Sequence, residues 1–301
     1  MKTKQLGVFL VLMSLLVSMV AGCQPQFQPG TYTDDMGREV RIEKVPQRII
    51  SLAPSNTEIL FALGLEDRIV GVTNYCNYPE AAKEKEKIGG FATPDLEKII
   101  ALKPDLILAF GTVQNALVSK LEARGQTVFW LYPHTVNDIL ESFERIGKLT
   151  GSATAAQQLR KRTEERIEAV RAKIKNITDQ ERPTVFRVMS LDPLGTIGGD
   201  AFQTDEYWLA GGKNIFADTK KDYFELDLKT LLKLNPDIII ICGEDEKEAK
   251  VKIRSQEGWG DLTAVKTDRI VVISCDLICR PSPRLAQTIE QLAKAFHPER
   301  F

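Results

Sequence analysis

One segment of the chain occurs twice, and this repeat limits the possible folds more than any other feature of the sequence. Residues 95–108 read DLEKIIALKPDLIL, and residues 227–240 read DLKTLLKLNPDIII, which places the copies 227 − 95 = 132 residues apart. Each copy predicts a helix, a proline that ends it and a buried strand. A chance similarity of two such units is one explanation. Two related lobes with a ligand cleft between them explain the repeat better.

Short apolar runs alternate with helical stretches on both sides of the repeat. Strands are predicted at 48–52, 69–72, 105–110, 127–131, 184–189, 237–242 and 269–274. Helices are predicted at 55–63, 95–102, 117–124, through Tyr207 and at 283–296, and Ser55 or Asn56 is the expected N-cap of the first. Strands that alternate with helices are typical of parallel sheets. The predicted fold class is therefore α/β, with an N-terminal lobe at 46–148 and a C-terminal lobe at 181–301.

The centre of the chain has a different pattern. After Gly151, residues 152–177 contain neither proline nor glycine, and one apolar stripe recurs at helical spacing: Leu159, Thr163, Ile167, Val170 and Ile174. A helix of roughly 25 residues would be about 38 Å long at 1.5 Å per residue. An ordinary surface helix is one interpretation. The central position favours a helix that bridges the two lobes, and we assign residues 149–180 to it.

The first 22 residues have the pattern of a secretory signal peptide. Lys2 and Lys4 precede a 15-residue apolar run, Leu6–Val20, which is too short to span a bilayer. The following Val-Ala-Gly-Cys resembles a bacterial lipobox, which implies lipidation of Cys23; an ordinary signal peptide with an incidental cysteine is the alternative. Cleavage before Cys23 leaves 301 − 22 = 279 residues, with 23–45 as lipidated N-terminus and tether. The lipid would then be the only attachment to a membrane.

Motifs for catalysis and for nucleic-acid binding are not found. The sequence has no Gly-x-Ser-x-Gly elbow and no Walker loop, and no pair of carboxylates is marked by its neighbours as an acid/base couple. Its two histidines lack the spacing of a metal site, and His134 is expected either in a solvated loop or facing the cleft. With 40 Lys+Arg against 41 Asp+Glu, the chain has no overall basic character that would bind nucleic acid. We therefore predict neither an enzyme nor a resident metal or cofactor.

Five strings in register resemble the substrate-binding proteins of ABC importers for cobalamin, iron–siderophores and haem. They are the two repeat copies together with residues 48–58, 71–79 and 210–216, and Ser282-Pro283-Arg284 follows in order. The resemblance runs from about residue 48 to residue 296. It implies two Rossmann-like lobes bridged by one long rigid helix, the class III architecture, which closes little on binding. It also implies an extracytoplasmic lipoprotein, monomeric when free, whose partners are a permease dimer with its ATPase subunits.

Within that family the cobalamin binders are the nearest match, which implies a corrinoid as the small-molecule ligand. The resemblance places aromatic residues against the ring, and the flat macrocycle would bury well against them: Tyr75, Phe91, Phe110 and Trp130. Phe110 and Trp130 are also explained as core residues at strand ends. Asp192 and Arg280 are the other expected contacts. An iron–siderophore, haem, a thiophilic metal species, or a sensory lipoprotein of the same fold are the alternatives.

The cysteines leave several interpretations open. Cys242 ends an isoleucine-rich strand and is expected in the core. Cys76 follows the cleft tyrosine, while Cys275 and Cys279 lie in the facing loop of the other lobe. Cys275 and Cys279 would form a disulfide in one interpretation. In another, Cys76 and Cys279 contact the ligand as free thiols, which would suit a soft metal or an axial bond to cobalt or iron.

The resemblance also implies a docking surface for the permease. In the family a glutamate on each lobe enters an arginine pocket, and Glu97 occupies this position in the first repeat copy. Favourable interaction with the helix dipole is the alternative reason for an acid there. The equivalent position of the second copy is Lys229, so Asp227 or Glu225 is expected to replace it, unless docking is asymmetric.

Overall fold

A computed structural model describes residues 27–301, and the predictions for the signal peptide and for Cys23 lie outside the described residues. No helix of this part of the chain has the length and apolar character needed to cross a membrane. The N-terminal lobe carries a hairpin, β1 and β2, and a parallel sheet of order β4-β3-β5-β6. Its strands are β1 Gly30–Thr33, β2 Glu39–Ile42, β3 Ile49–Ser51, β4 Ile69–Val72, β5 Leu106–Phe110 and β6 Val128–Leu131. Its first helices are α1 Pro54–Ala62, α2 Leu96–Ala101 and α3 Asn115–Ala123.

The C-terminal lobe repeats the parallel sheet and adds a smaller antiparallel one. The orders are β10-β7-β12-β13 and β11-β9-β8. The strands are β7 Thr184–Val188, β8 Ser190–Leu191, β9 Leu194–Ile197, β10 Lys213–Asn214, β11 Tyr223–Glu225, β12 Ile238–Cys242 and β13 Ile270–Ile273. The helices are α6 Phe202–Leu209, α7 Leu228–Leu234, α8 Glu246–Arg254, α9 Thr263–Lys266, α10 Cys275–Ile278 and α11 Leu285–Phe296. The predicted α/β class with two parallel sheets is confirmed.

Two consecutive helices join the lobes, α4 Val136–Thr150 and α5 Ala153–Ile174. The predicted stripe is buried in every position, and α5 packs against α4 and α11. Its 22 residues give a length of about 33 Å, shorter than predicted, because the helix ends at Ile174. The sequence analysis did not predict α4. A capping box at Thr135 and Asp138 begins that helix, and Gly151 in the left-handed region ends it.

The two repeat copies have the same local structure, as predicted. Asp95 and Asp227 are the N-caps of α2 and α7, and their carboxylates accept hydrogen bonds from the Lys98 and Thr230 amides at 3.0 and 2.7 Å. Each helix is followed by a residue with positive φ, at 49° for Lys103 and 43° for Asn235. These two residues are 235 − 103 = 132 positions apart, so the repeat extends to the backbone turn.

Three local predictions are corrected. The first helix begins at Pro54 with Ala53 as its N-cap, so neither Ser55 nor Asn56 caps it. Asn56 is buried, and its amide donates to the carbonyls of Leu108 and Ala109 at 3.2 Å, which ties the helix to β5. The predicted tether contains the β1–β2 hairpin, held to the lobe because the buried Asp34 carboxylate accepts from the Trp130 amide at 3.2 Å. The strand predicted at 184–189 ends at Val188, and the antiparallel β8–β9 hairpin follows it.

Candidate functional site

A cavity of about 380 Å³ lies between the two lobes. The two lobes contribute different walls. The wall of the N-terminal lobe contains the aromatic residues and consists of Ala53, Pro54, Ser55, Tyr75, Phe91, Ala92 and Phe110. The wall of the C-terminal lobe contains two cysteines and consists of Cys275, Asp276, Cys279, Arg280 and Pro281. Phe110 is the last residue of β5, and Tyr75 follows the end of β4. Because ligands of parallel α/β sheets bind outside the carboxyl ends of the strands, this cavity is the candidate site.

A second cavity of about 210 Å³ continues the cleft and shares Phe110 with the first. Its walls are again aromatic and aliphatic, with Tyr132 and Pro133 from the N-terminal lobe and Phe202 and Tyr223 from the other. The ring centroids of Phe91 and Phe110 are 6.2 Å apart, so the two rings form one contiguous apolar wall. The cleft can therefore bury one face of a large flat molecule.

The hollow with the largest volume, about 660 Å³, lies elsewhere. It is lined by residues at the amino ends of β12 and β13, including Asp237 and Arg269, and by Arg182 and His297. The amino ends of parallel strands are the edge opposite to the one that binds ligands in such sheets. We therefore place the candidate site in the inter-lobe cleft and not in this larger hollow.

Five of the predicted ligand contacts line the cleft cavity, namely Tyr75, Phe91, Phe110, Cys279 and Arg280. Tyr75 is 61% exposed, so its ring is free to meet a ligand. The contact of these residues with a ligand stays a prediction. The structure establishes that they surround one space, although they come from segments more than 200 residues apart along the chain (280 − 75 = 205).

The structure corrects the expected placement of three residues. Cys76 is buried in the N-terminal lobe, where its sulfur lies 3.1 Å from the Thr57 hydroxyl and 3.3 Å from that of Thr73. Trp130 is buried in the same lobe, and its indole Nε1 donates to the Gly111 carbonyl at 3.1 Å. Asp192 is exposed in the β8–β9 turn and lines neither cleft cavity. Consecutive side chains point in different directions, so proximity of Cys76 to Tyr75 in sequence did not place both in the cleft.

Arg280 contacts a carboxylate that the sequence analysis did not identify as part of the site. Glu58, on α1, accepts from Arg280 Nη1 at 3.0 Å and from Arg284 at 2.8 and 2.6 Å. Arg280 also pairs with Asp276 and donates to the Asn77 side chain at 2.8 Å. The Glu58 side chain is only 2% exposed. These contacts form a first inter-lobe ion-pair cluster, and they neutralise both arginines. In the sequence, the indication of this contact was an acidic residue, Glu58, within the apolar helix predicted at 55–63.

A second inter-lobe contact lies on the other side of the cleft. The Tyr132 hydroxyl donates to the Asp222 carboxylate, and burial together with this hydrogen bond raises the pKa of Tyr132 to about 12. His134 Nδ1 lies 3.1 Å from the same carboxylate and 2.9 Å from the Asp200 carbonyl. His134 is thus half-buried between the lobes rather than solvated in a loop. The lobes are held by side-chain contacts on both sides of the cleft.

All four cysteines of the described part of the chain are free thiols. The Cys275–Cys279 disulfide, one of the alternatives from the sequence, is therefore not formed in this structure. Cys242 is half-buried at the end of β12, near Cys275 and Cys279, and it packs against the hydrophobic core, so the expected core position is met in part. Among residues 27–301, no group of three or more cysteine, histidine or acidic side chains is arranged to hold a metal ion.

The two expected docking positions lie at corresponding places on the lobes. Glu97 is in the first turn of α2, its side chain is 74% exposed, and it pairs with Arg124 at 2.9 Å. Asp227 is exposed at the start of α7, where the Thr230 hydroxyl and amide hold the pKa of its carboxyl below the usual range. Lys229 is exposed in the first turn of α7. Each lobe thus presents an acid at the start of the repeated helix.

Comparisons with known proteins agree with this architecture. The family model described as "Periplasmic binding protein" matches residues 49–277. The uncharacterized ABC transporter substrate-binding lipoprotein YvrC of Bacillus subtilis is 34% identical, with 99% of each chain covered. The vitamin B12-binding protein of Vibrio cholerae is 30% identical over 82% of this chain and 87% of its own. The crystal structure of periplasmic vitamin B12 binding protein BtuF of Vibrio cholerae superposes with a TM-score of 0.74 at 28% identity, covering 84% and 97%.

Proposed function

The chain belongs to the periplasmic binding protein family, as a class III substrate-binding protein of an ABC transporter in the vitamin B12, siderophore and haem group, and on that premise we propose that its cleft captures cobalamin or a related corrinoid. The observation that carries the proposal is the aromatic wall of Tyr75, Phe91 and Phe110 in the cleft. A corrin ring is flat and largely apolar, and aromatic faces bury such surfaces favourably.

The charges of the cleft support a corrinoid over the other ligands of the family. Ferric siderophores and haem carry carboxylate or other anionic groups, which are held best by unpaired arginine or lysine side chains. Arg280 is the one basic residue among the described residues that line the two cleft cavities, and it shares the Glu58 carboxylate with Arg284. Since their charge is already balanced, an anionic ligand would have to break these pairs. A corrinoid ring with neutral amide side chains would leave them intact.

The proposal includes delivery to a transporter. The protein would be anchored outside the cytoplasm through a lipid on Cys23, monomeric when free, and without catalytic activity of its own. It would present Glu97 and Asp227, which are exposed on corresponding helices of the two lobes, to the two halves of a permease dimer. Cys76, Trp130 and Asp192 are left out of the proposed contact set, because the structure places them away from the cleft cavities.

Calorimetric titration of the purified chain with cyanocobalamin, hemin and a ferric hydroxamate tests the ligand. We expect cyanocobalamin to bind at least tenfold more tightly than either of the others. Phe110→Ala should weaken that binding by roughly tenfold, the effect of losing one buried aromatic face. Val251→Ala is the matched control, because Val251 is 62% exposed on α8 and lines neither cleft cavity.

Two outcomes would contradict the proposal. Tighter binding of hemin or of the ferric hydroxamate would assign the cleft to that ligand instead. Equal loss of affinity in Phe110→Ala and Val251→Ala would mean that the aromatic wall does not contact the ligand. The visible spectrum and the mass of any co-purified molecule give an independent answer, because corrin and haem absorb at different wavelengths.

A further inference from the structure

Three thiols converge at the wall of the cleft that belongs to the C-terminal lobe. Cys242 is the last residue of β12, while Cys275 begins α10 and Cys279 follows its end. Cys275 and Cys279 line the 380 Å³ cavity, and Cys279 is exposed. Cys242 is half-buried and pairs with Ile273 across β12 and β13, two residues before Cys275. One member of this thiol cluster is therefore open to a molecule in the cleft, and another is within its reach but shielded.

A buried arginine is directed at these sulfurs. Arg187 is 0% exposed, and its Nη2 lies 3.5 Å from the Cys279 sulfur. Its Nε and Nη1 have no hydrogen-bond partner, and no carboxylate among residues 27–301 lies within 4.0 Å of it as an ion pair. The nearby Glu206 is fully buried, and this burial raises the pKa of its carboxyl well above the usual range. A buried cation requires a counter-charge, and the thiol cluster is the group placed to supply one.

The thiols are unequal in acidity. Hydrogen bonding from Cys279, with further contributions from Cys275 and Arg187, lowers the pKa of Cys242 to about 5, against the effect of its burial. The same contact with Cys242 raises the pKa of Cys279. The pair therefore holds one thiolate and one proton near neutral pH, and the proton can pass between the two sulfurs.

We propose that Cys242 and Cys279 form a thiol–disulfide exchange site in the cleft wall, which reacts with small-molecule disulfides that enter the cleft. Cys279 passes its proton to the Cys242 thiolate, and the resulting Cys279 thiolate attacks one sulfur of the incoming disulfide and releases the other half, which takes the proton from Cys242. The Cys242 thiolate then attacks the Cys279 sulfur, forms the Cys242–Cys279 disulfide and releases the second half as a thiolate. Two cysteine sulfurs are oxidised, and one disulfide is reduced to one thiol and one thiolate, which takes its proton from water.

Treatment of the full chain with 2-hydroxyethyl disulfide, followed by alkylation of the remaining thiols and tryptic mapping, tests the assignment. We expect the peptide of residues 234–247, which contains Cys242, to become cross-linked to the peptide of residues 270–284, with loss of two hydrogen atoms. Fragmentation of the linked pair should place the bond on Cys279 rather than on Cys275. Cys76, in the peptide of residues 69–83, should stay fully alkylatable after unfolding, because it is buried in the other lobe.

Serine variants distinguish the roles of the thiols. Cys275→Ser should form the cross-link as the unmodified chain does. In Cys242→Ser the mixed disulfide on Cys279 should persist, because the thiol that resolves it is missing. The matched control is Cys76→Ser, which should behave like the unmodified chain. The inference is overturned if the treated chain shows an internal Cys275–Cys279 bond, or if Cys242 stays as alkylatable as Cys76. Neither result bears on corrinoid binding, which is measured separately.

Discussion

Glu58 is the residue that decides which charges the cleft offers to a ligand. Its carboxylate lies between Arg280 and Arg284 and is almost completely buried. It comes from the N-terminal lobe, while both arginines come from the C-terminal lobe. One side chain therefore links the lobes, and together with Asp276 it balances the charge of the two arginines. A buried carboxylate bound by two guanidinium groups is costly to remove, because both cations would remain in place without it.

Replacement of Glu58 by glutamine should therefore destabilise the protein. The amide keeps the size of the side chain but leaves Arg284 without its carboxylate partner and Arg280 with Asp276 alone, which should lower the free energy of unfolding by about 3 kcal/mol. Urea denaturation measures this change. Glu66→Gln is the control, since Glu66 is exposed and should respond by less than about 0.5 kcal/mol. Similar effects of both changes would mean that the cluster contributes little to stability.

The sequence predicts the contacts of single side chains less well than it predicts helices and strands. The family resemblance correctly indicated that Tyr75, Phe91 and Phe110 surround one cleft. It also indicated Trp130, but this side chain turns into the N-terminal lobe, because Gly111 offers a carbonyl to its indole. Glu58 was missed since its partners follow more than 200 positions later (280 − 58 = 222). Pairing across lobes depends on tertiary structure, which local patterns do not contain.

The repeated helix–strand unit is the element that the sequence describes best. Both copies have an aspartate N-cap, a positive-φ residue after the helix and a second aspartate before the strand. That second aspartate has the same task in each lobe. Asp105 accepts from the Arg48 amide at 2.8 Å, and Asp237 accepts from the Thr184 amide at 2.8 Å. Each carboxylate thus fixes the start of the neighbouring first strand of its sheet.

The N-cap of the second copy should make a pH-dependent contribution to stability. Hydrogen bonds from Thr230 lower the pKa of Asp227 in the folded protein below its ordinary value of 3.8. A carboxyl whose pKa is lowered by folding stabilises the protein above its unfolded pKa, and this contribution is lost as the pH falls through the folded pKa. The stability difference between the unmodified chain and Asp227→Ala should therefore shrink between about pH 6 and about pH 3.

Thermal unfolding across this pH range measures the difference. Asp218→Ala is the matched control, because Asp218 is exposed and caps no helix. If the Asp227→Ala difference is the same at both ends of the range, its carboxylate does not provide the cap.

Elements were predicted reliably where the apolar period was long or where proline and glycine set the limits. The strands 106–110 and 238–242 and helix α5 follow this rule. Helix α4, 15 residues long, was not predicted, although a capping box at Thr135 begins it. The β8–β9 hairpin is only two and four residues long per strand, which is too short for an alternating pattern to show.

At the scale of the whole molecule, the lobes are joined in three ways. Helix α5 packs against elements of both halves, the Glu58 cluster holds one side of the cleft, and Tyr132 and His134 meet Asp222 on the other. A packed helix bends less readily than a pair of loop segments, so large hinge closure is not expected. A partner would then recognise the ligand-loaded form from small changes at the two exposed repeat helices.

Glu97→Arg tests whether the repeat helices dock to a permease. Reversing the charge of this exposed residue should abolish ATP-driven uptake of labelled ligand, because it would place like charges together in an arginine pocket. Ligand affinity, measured by calorimetry, should stay unchanged, since Glu97 does not line the cleft. Glu257→Arg makes the same charge change at an exposed position outside the repeat and should transport normally. Unaffected uptake in Glu97→Arg would contradict a docking role of this residue.

The β1–β2 hairpin has a consequence for where the protein can work. It attaches the chain firmly to the N-terminal lobe from Gly30 onwards, through Asp34 and its bonds to β6. If Cys23 carries the lipid, only six residues, 24–29, lie between it and the start of the hairpin, a span of 30 − 23 = 7 Cα–Cα steps. Fully extended, they reach about 25 Å. With so short a connection the N-terminal lobe would stay within a thin layer above the membrane. A permease would then meet the ligand-loaded protein by lateral diffusion in two dimensions.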